Sequence, residues 1–87
     1  MAYYTRNLGR KKEGDKVNVR LNINKYSILL FKKNDDVNCF FSTKKNPIST
    51  IEVDNFKTEI IIPTNGFWVI AVKSNLPVST FKVFEYQ

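Results

Sequence analysis

Histidine is absent from this chain of 87 residues, and cysteine occurs once, as Cys39. The sequence therefore lacks the commonest general base, and one thiol cannot complete the usual zinc sites or form an intrachain disulfide. The three glycines form no phosphate-binding motif. We expect no cofactor, no metal site and no enzymatic activity. Only a carboxylate pair or Cys39 in an open pocket would contradict this, and we expect Cys39 to be a small buried core residue.

Long apolar runs are missing as well. The apolar runs are short, such as Ile28-Leu29-Leu30-Phe31 and the six residues 67–72, against roughly 18 for a membrane-spanning helix. The first residues lack the apolar region of a signal peptide. These absences predict a cytoplasmic protein without membrane contact, and the length predicts one domain, residues 1–87.

The residues that are present form short alternating segments typical of β-strands. No stretch has a helical period, whereas Val17, Val19, Leu21 and Ile23 alternate with polar residues. This pattern predicts a strand with one face in the core and one in water. Further strands are predicted at 26–32, Val37–Phe41, 48–53, Phe56–Ile62, 67–73 and 79–86, and the first eight residues could add another before a polar turn from Gly9 to Asp15.

Seven or eight strands in one small chain favour an all-β, two-sheet antiparallel sandwich, with a small OB-like barrel as the alternative. Segments 26–32 and 67–73 are apolar on both faces, which predicts interior strands. The weaker segment 48–53 is expected at an edge. Trp68 lies in the second interior strand, so we expect it to pack in the core rather than stack on a sugar.

Basic residues exceed acidic ones by six, since the chain has fourteen Lys and Arg and eight Asp and Glu. This balance favours acidic partners, although Lys-rich surfaces also serve solubility. Two aromatic residues lie just before a basic stretch near the start of the chain, and single-stranded nucleic-acid platforms also place aromatic residues beside basic ones. The candidate polyanion-binding residues are Tyr3, Tyr4, Arg6, Arg10, Lys11, Lys12 and Lys16. The alternative is that one tyrosine joins the core and the loop is simply solvated.

Several short motifs occur in a characteristic order: Leu8-Gly9, Gly14-Asp15, the alternating Val17, Val19 and Leu21, then Ile60-Ile61-Ile62-Pro63, Gly66, Trp68, Ile70 and Val72. In this order the chain resembles the small bacterial domain family of unknown function numbered 1883. The resemblance covers roughly residues 3–30 and 56–73. It departs at Asn38 to Asn46, which has no glycine where the family has a Tyr-, Gly- and basic-rich segment.

The resemblance implies a compact β-sandwich without assigned catalytic residues. Some relatives are fused to TIR signalling domains, which implies a place in bacterial defence or stress signalling. We accordingly expect a non-catalytic binding or accessory module. The favoured partner is a protein, including a second copy of the chain, because edge strands of small sandwiches pair readily. The alternative is nucleic acid or a nucleotide bound through the basic N-terminal residues.

Overall fold

The computed structural model describes residues 2–32 and 47–86, and all regular structure in these residues is β. Within the described residues there are seven strands: β1 (Ala2–Lys11), β2 (Lys16–Leu21), β3 (Tyr26–Lys32), β4 (Ser49–Val53), β5 (Lys57–Ile61), β6 (Gly66–Ser74) and β7 (Phe81–Tyr86). They form a four-stranded sheet in the order β1-β6-β3-β4 and a three-stranded sheet in the order β5-β2-β7. All strand pairs are antiparallel. The predicted two-sheet sandwich is confirmed. The predicted strand Val37–Phe41, with Cys39, lies outside the described residues.

The positions of the strands follow from their hydrophobic patterns. In β2 the side chains of Val17, Val19 and Leu21 are buried and the residues between them face outward, as alternation predicts. Strands β3 and β6 are interior, and β4 lies at an edge of its sheet. Interior strands are apolar on both faces because each face meets other side chains rather than water. These three placements agree with the predictions.

The hydrophobic core lies between the two sheets. Trp68 is completely buried there, and its indole N–H donates a hydrogen bond of 3.0 Å to the carbonyl oxygen of Thr64. Its predicted core position is therefore confirmed. The remaining buried members come from both sheets and their connections: Leu8, Val17, Val19, Leu21, Ile23, Tyr26, Ile28, Leu30, Ile60, Ile62, Ile70 and Val72.

A β-bulge interrupts the pairing of β1 with β6. Asn7 pairs with Val69 and Gly9 with Trp68, so Leu8 is an extra residue, and its side chain is buried in the core. Gly9 has a φ of 76°, a left-handed conformation that glycine adopts without strain. Beyond the bulge β1 continues to Lys11. The predicted strand at the start of the chain is therefore present, but the turn predicted from Gly9 to Asp15 starts only after Lys11, because Gly9 lies in the bulge inside β1.

The connection into β7 is held by one side chain. The side-chain carbonyl oxygen of Asn22 accepts hydrogen bonds from the N–H groups of Ser79 (2.9 Å) and Thr80 (3.2 Å). Its side-chain N–H donates to the carbonyl oxygen of Pro77 at 3.3 Å. The strand consequently begins at Phe81 rather than at residue 79 as predicted, because these two N–H groups bind the amide side chain.

Candidate functional site

Two of the residues predicted for polyanion binding, Tyr4 and Arg6, connect the two sheets. The Arg6 guanidinium lies 4.8 Å from the centre of the Phe81 ring and donates a hydrogen bond of 2.9 Å to the carbonyl oxygen of the same residue. The half-buried Tyr4 accepts a 3.5 Å hydrogen bond from the N–H of Val78 at its hydroxyl. We call these four residues the intersheet clamp, because β1 and β7 are edge strands of different sheets, with Phe81 the first residue of β7 and Val78 in the connection that leads into it.

Two others, Tyr3 and Arg10, lie on the outer face of the four-stranded sheet. The register pairs Tyr3 with Lys73 and Arg10 with Phe67, and the Arg10 guanidinium lies 5.1 Å from the centre of the Phe67 ring. The bulge causes this placement, since an uninterrupted strand would turn Arg10 to the same side as Arg6. Arg10 is thus already stacked on an aromatic ring of its own sheet.

The three predicted lysines lie at separate places. Lys11 pairs with Gly66 at the end of β1. Lys12 opens the following turn, where its N–H donates a 2.8 Å hydrogen bond to the Asp15 carboxylate. Lys16 begins β2 and is exposed on the outer face of the three-stranded sheet. The predicted set is therefore distributed over both sheets and the turn between them, and it forms no single surface.

The outer face of the three-stranded sheet carries a row of three cations. Because β2 is paired on both sides, Arg20 lies in register with Lys57 of β5 and with Lys82 of β7. All three residues are exposed. Neighbouring strands are about 4.8 Å apart, so the row spans about 10 Å. We call Lys57, Arg20 and Lys82 the cation row.

The next row on the same face has a different chemistry. Asn18 lies in register with Glu59 on one side and Phe84 on the other, and Phe84 is 43% exposed. We call these three residues the mixed row. One step further along β2 comes Lys16, in register with Ile61, which is 59% exposed. Among the described side chains, four cations and one carboxylate therefore face outward from this sheet.

The cation row and the mixed row border a shallow depression of about 260 Å³, lined by Asn18, Val19, Arg20, Lys57 and Phe84. Within residues 2–32 and 47–86, the side chains of the cation row take no part in a hydrogen bond, an ion pair or a ring contact. Their charges are consequently available to a ligand. In contrast, Arg6 and Arg10 are already engaged with aromatic rings.

Only Lys16 was named in advance among the residues of this face. Arg20, Lys57 and Lys82 are 25 to 62 residues apart in the chain, and none of them has another cation directly beside it in the sequence. The alternation within each strand does contain a usable signal, because Arg20 lies between buried Val19 and Leu21 and must point outward. The alternation does not show how the strands are paired, and it is the register of β2 with β5 and β7 that brings the three cations into one row.

A larger open depression of about 830 Å³ lies where β3 begins and β4 and β6 end. Its wall mixes both signs of charge: Lys25, Glu52, Asp54 and Lys73. The Ser27 hydroxyl donates a 2.8 Å hydrogen bond to the Glu52 carboxylate. Because the cations and carboxylates are balanced, this depression favours no ligand of one charge, and we assign it no role.

The fold changes the ionisation of Tyr26. Its hydroxyl is buried and has no hydrogen-bond partner in the part of the chain that the structure describes. Burial disfavours the charged form and raises the pKa of this hydroxyl above its usual range. It therefore stays protonated at neutral pH and supplies no base. No three carboxylates or thiols come together as a metal site among residues 2–32 and 47–86.

No protein-family model matches the chain, and neither a curated protein nor a solved structure matches it. The resemblance to the family numbered 1883 stays a prediction. Among the described residues there is no helix that could cross a membrane. The geometry of the three-stranded sheet is thus the evidence on which a function can be argued.

Proposed function

We propose that the chain is a non-catalytic binding module whose ligand is nucleic acid, bound on the outer face of the three-stranded sheet. The observation that carries the proposal is the cation row, in which Arg20 lies between Lys57 and Lys82 in register. Such a row fits the phosphates of a nucleic-acid backbone, because evenly spaced positive charges can neutralise the negative charges of consecutive phosphates. The aromatic ring of Phe84 borders the row on the same face.

A flat sheet suits this ligand better than it suits a small molecule. Small-molecule sites are enclosed and mostly apolar, whereas this depression is shallow and lined by cations, an amide and one ring. Nucleic-acid platforms on β-sheets combine a positive surface that follows the backbone with exposed aromatic side chains. The outer face of the three-stranded sheet has both features, and binding there needs no catalytic group.

The expectation of a protein partner stays a prediction. Of the large exposed apolar side chains, Ile48, Phe56 and Leu76 lie in connections, and Tyr3 and Phe67 lie on the outer face of the four-stranded sheet. Those on the three-stranded sheet, Ile61 and Phe84, share it with the cations. A protein bound at this face would need an acidic surface, which makes an acidic peptide the natural competitor in a test.

The test is fluorescence anisotropy of a short labelled oligonucleotide titrated with the protein between about 50 and 200 mM salt. We expect binding that weakens as salt rises. Three contacted phosphates correspond to a slope of about −2 in the plot of log affinity against log salt for a single strand. Arg20→Ala should lower the affinity and reduce the slope by about 0.7.

Arg6→Ala is the matched control, because it removes the same charge from the intersheet clamp rather than from the cation row. We expect it to leave the oligonucleotide affinity nearly unchanged. Equal losses in the two variants would mean that only the net charge matters, and would overturn the assignment to the cation row. Absence of binding at low salt would overturn the proposed function itself. Equally tight binding of a poly-glutamate peptide would replace it by an acidic protein partner.

A further inference from the structure

We infer that the ligand is single-stranded, with one unpaired base stacked on Phe84 and its phosphates on the cation row. This inference rests on the proposed function and adds the form of nucleic acid to it. It is carried by the order of the two rows on the sheet, by the exposure of the Phe84 ring and by the placement of Glu59.

The two rows divide the face into a phosphate side and a base side. The cation row holds positive charge only. In the mixed row, Glu59 lies at one end and would repel a phosphate, while Asn18 and Phe84 are uncharged. A sugar-phosphate backbone is therefore favoured along the cation row, across the strands, with its bases over the mixed row. Carboxylate and amide groups are also those that pair with the edges of bases.

The distance between the rows suits one nucleotide. Phe84 is two residues beyond Lys82 in β7, which places their backbones about 7 Å apart on the same face. Phe84 is 43% exposed, and among the described residues no other ring or cation stacks on its side chain. A base attached to a phosphate at Arg20 or Lys82 can thus reach the ring, with the Asn18 amide beside it.

A duplex cannot use this arrangement. Its bases are already stacked and paired, and only their edges are open in the grooves. Stacking on Phe84 requires the open π-face that an unpaired base presents. The phosphates of a duplex would still contact the cation row, so a single strand should bind more tightly than a duplex of the same length.

The experiment compares three labelled probes of equal length: oligo(dT), an abasic strand with the same phosphates, and a duplex. We expect the wild-type protein to bind oligo(dT) about tenfold more tightly than the abasic strand, since one stacked base contributes roughly a five- to hundredfold gain. Phe84→Ala should remove this preference and leave the affinity for the abasic strand and the duplex unchanged. Phe84→Trp should keep the preference and show fluorescence quenching on oligo(dT).

Phe67→Ala is the matched control, because Phe67 is also 43% exposed but lies on the four-stranded sheet. It should keep the full preference for oligo(dT). Circular dichroism and thermal melts establish that each variant is folded. If wild-type protein binds all three probes equally, or if Phe84→Ala keeps the preference, the single-strand inference is overturned while the proposed function stands. If no probe binds, the proposed function fails first.

Discussion

Replacing Arg6 by alanine should destabilise the fold without weakening the ligand face. The change removes the contact of the guanidinium with the Phe81 ring at 4.8 Å and its hydrogen bond of 2.9 Å to the carbonyl oxygen of the same residue. An exposed cation–π contact contributes about 0.5–1 kcal/mol, and a hydrogen bond of this kind about 0.5–1.5 kcal/mol. We therefore expect a loss of about 1–2 kcal/mol in the free energy of unfolding.

The loss should be visible in both thermal and urea unfolding followed by far-ultraviolet circular dichroism. For a domain of this size, 1 kcal/mol corresponds to about 4–8 °C in melting temperature, so a fall of about 4–16 °C is expected. Arg6→Lys keeps the charge and the contact with the ring but lacks the planar fork. It should retain part of the stability. A double-mutant cycle with Phe81→Leu isolates the ring contact, because the carbonyl oxygen is unchanged, and should give a coupling energy of about 0.5–1 kcal/mol.

Arg20→Ala provides the charge control for this prediction, since it also removes one cation from a chain of net charge +6. It should not lower the melting temperature, because Arg20 has no described partner. If Arg6→Ala melts at the wild-type temperature, or if the two variants melt equally low, the clamp does not stabilise the sandwich and the argument is refuted.

Two further predictions concern the core. Tyr26→Phe removes a buried hydroxyl that has no described hydrogen-bond partner, so the free energy of unfolding should stay constant or rise by up to about 1 kcal/mol in urea unfolding at neutral pH. Burial raises the folded-state pKa of this hydroxyl above 10.0, so the unfolded chain ionises first above pH 10. Tyr26 therefore makes stability fall as pH rises through that window, and the slope should be smaller in the variant; equal slopes would contradict this. Trp68→Phe should cost about 2 kcal/mol through the lost hydrogen bond to Thr64 and the space left behind, and a loss below about 0.5 kcal/mol would show that neither matters.

The fold could be predicted from local patterns because the order of apolar and polar residues within a strand shows which of its two faces are buried. Alternation in β2 identifies one buried and one exposed face, and apolar residues on both faces of β6 identify an interior strand. Neither statement depends on which strand is the neighbour. The two-sheet architecture then follows from the number of strands and from the mixture of one-faced and two-faced patterns.

The candidate site could not be predicted in the same way, because it depends on pairing between distant segments. Basic residues close together near the start of the chain suggested one patch, but the bulge at Leu8 and Gly9 turns Arg10 to the opposite side from Arg6. Conversely, Lys57 and Lys82 become neighbours of Arg20 only through the register of β2 with both edge strands. Proximity in sequence was therefore misleading for the basic residues near the start of the chain. It gave no information about the cation row, whose members are far apart in the sequence.

We expect the cation row to be costly to the fold, and such a cost would argue against a role in solubility alone. Like charges directly opposite each other on neighbouring strands are destabilising, and Arg20 has one on each side. Solubility requires positive charge somewhere on the surface but no such alignment. Arg20→Thr should therefore raise the free energy of unfolding by about 0.5 kcal/mol at low salt, and added salt should reduce the gain by screening the repulsion. The same variant should bind oligonucleotide more weakly. A variant that is less stable than wild type would show that the row is not a cost to the fold, and a variant that binds oligonucleotide equally well would show that Arg20 does not contact phosphate.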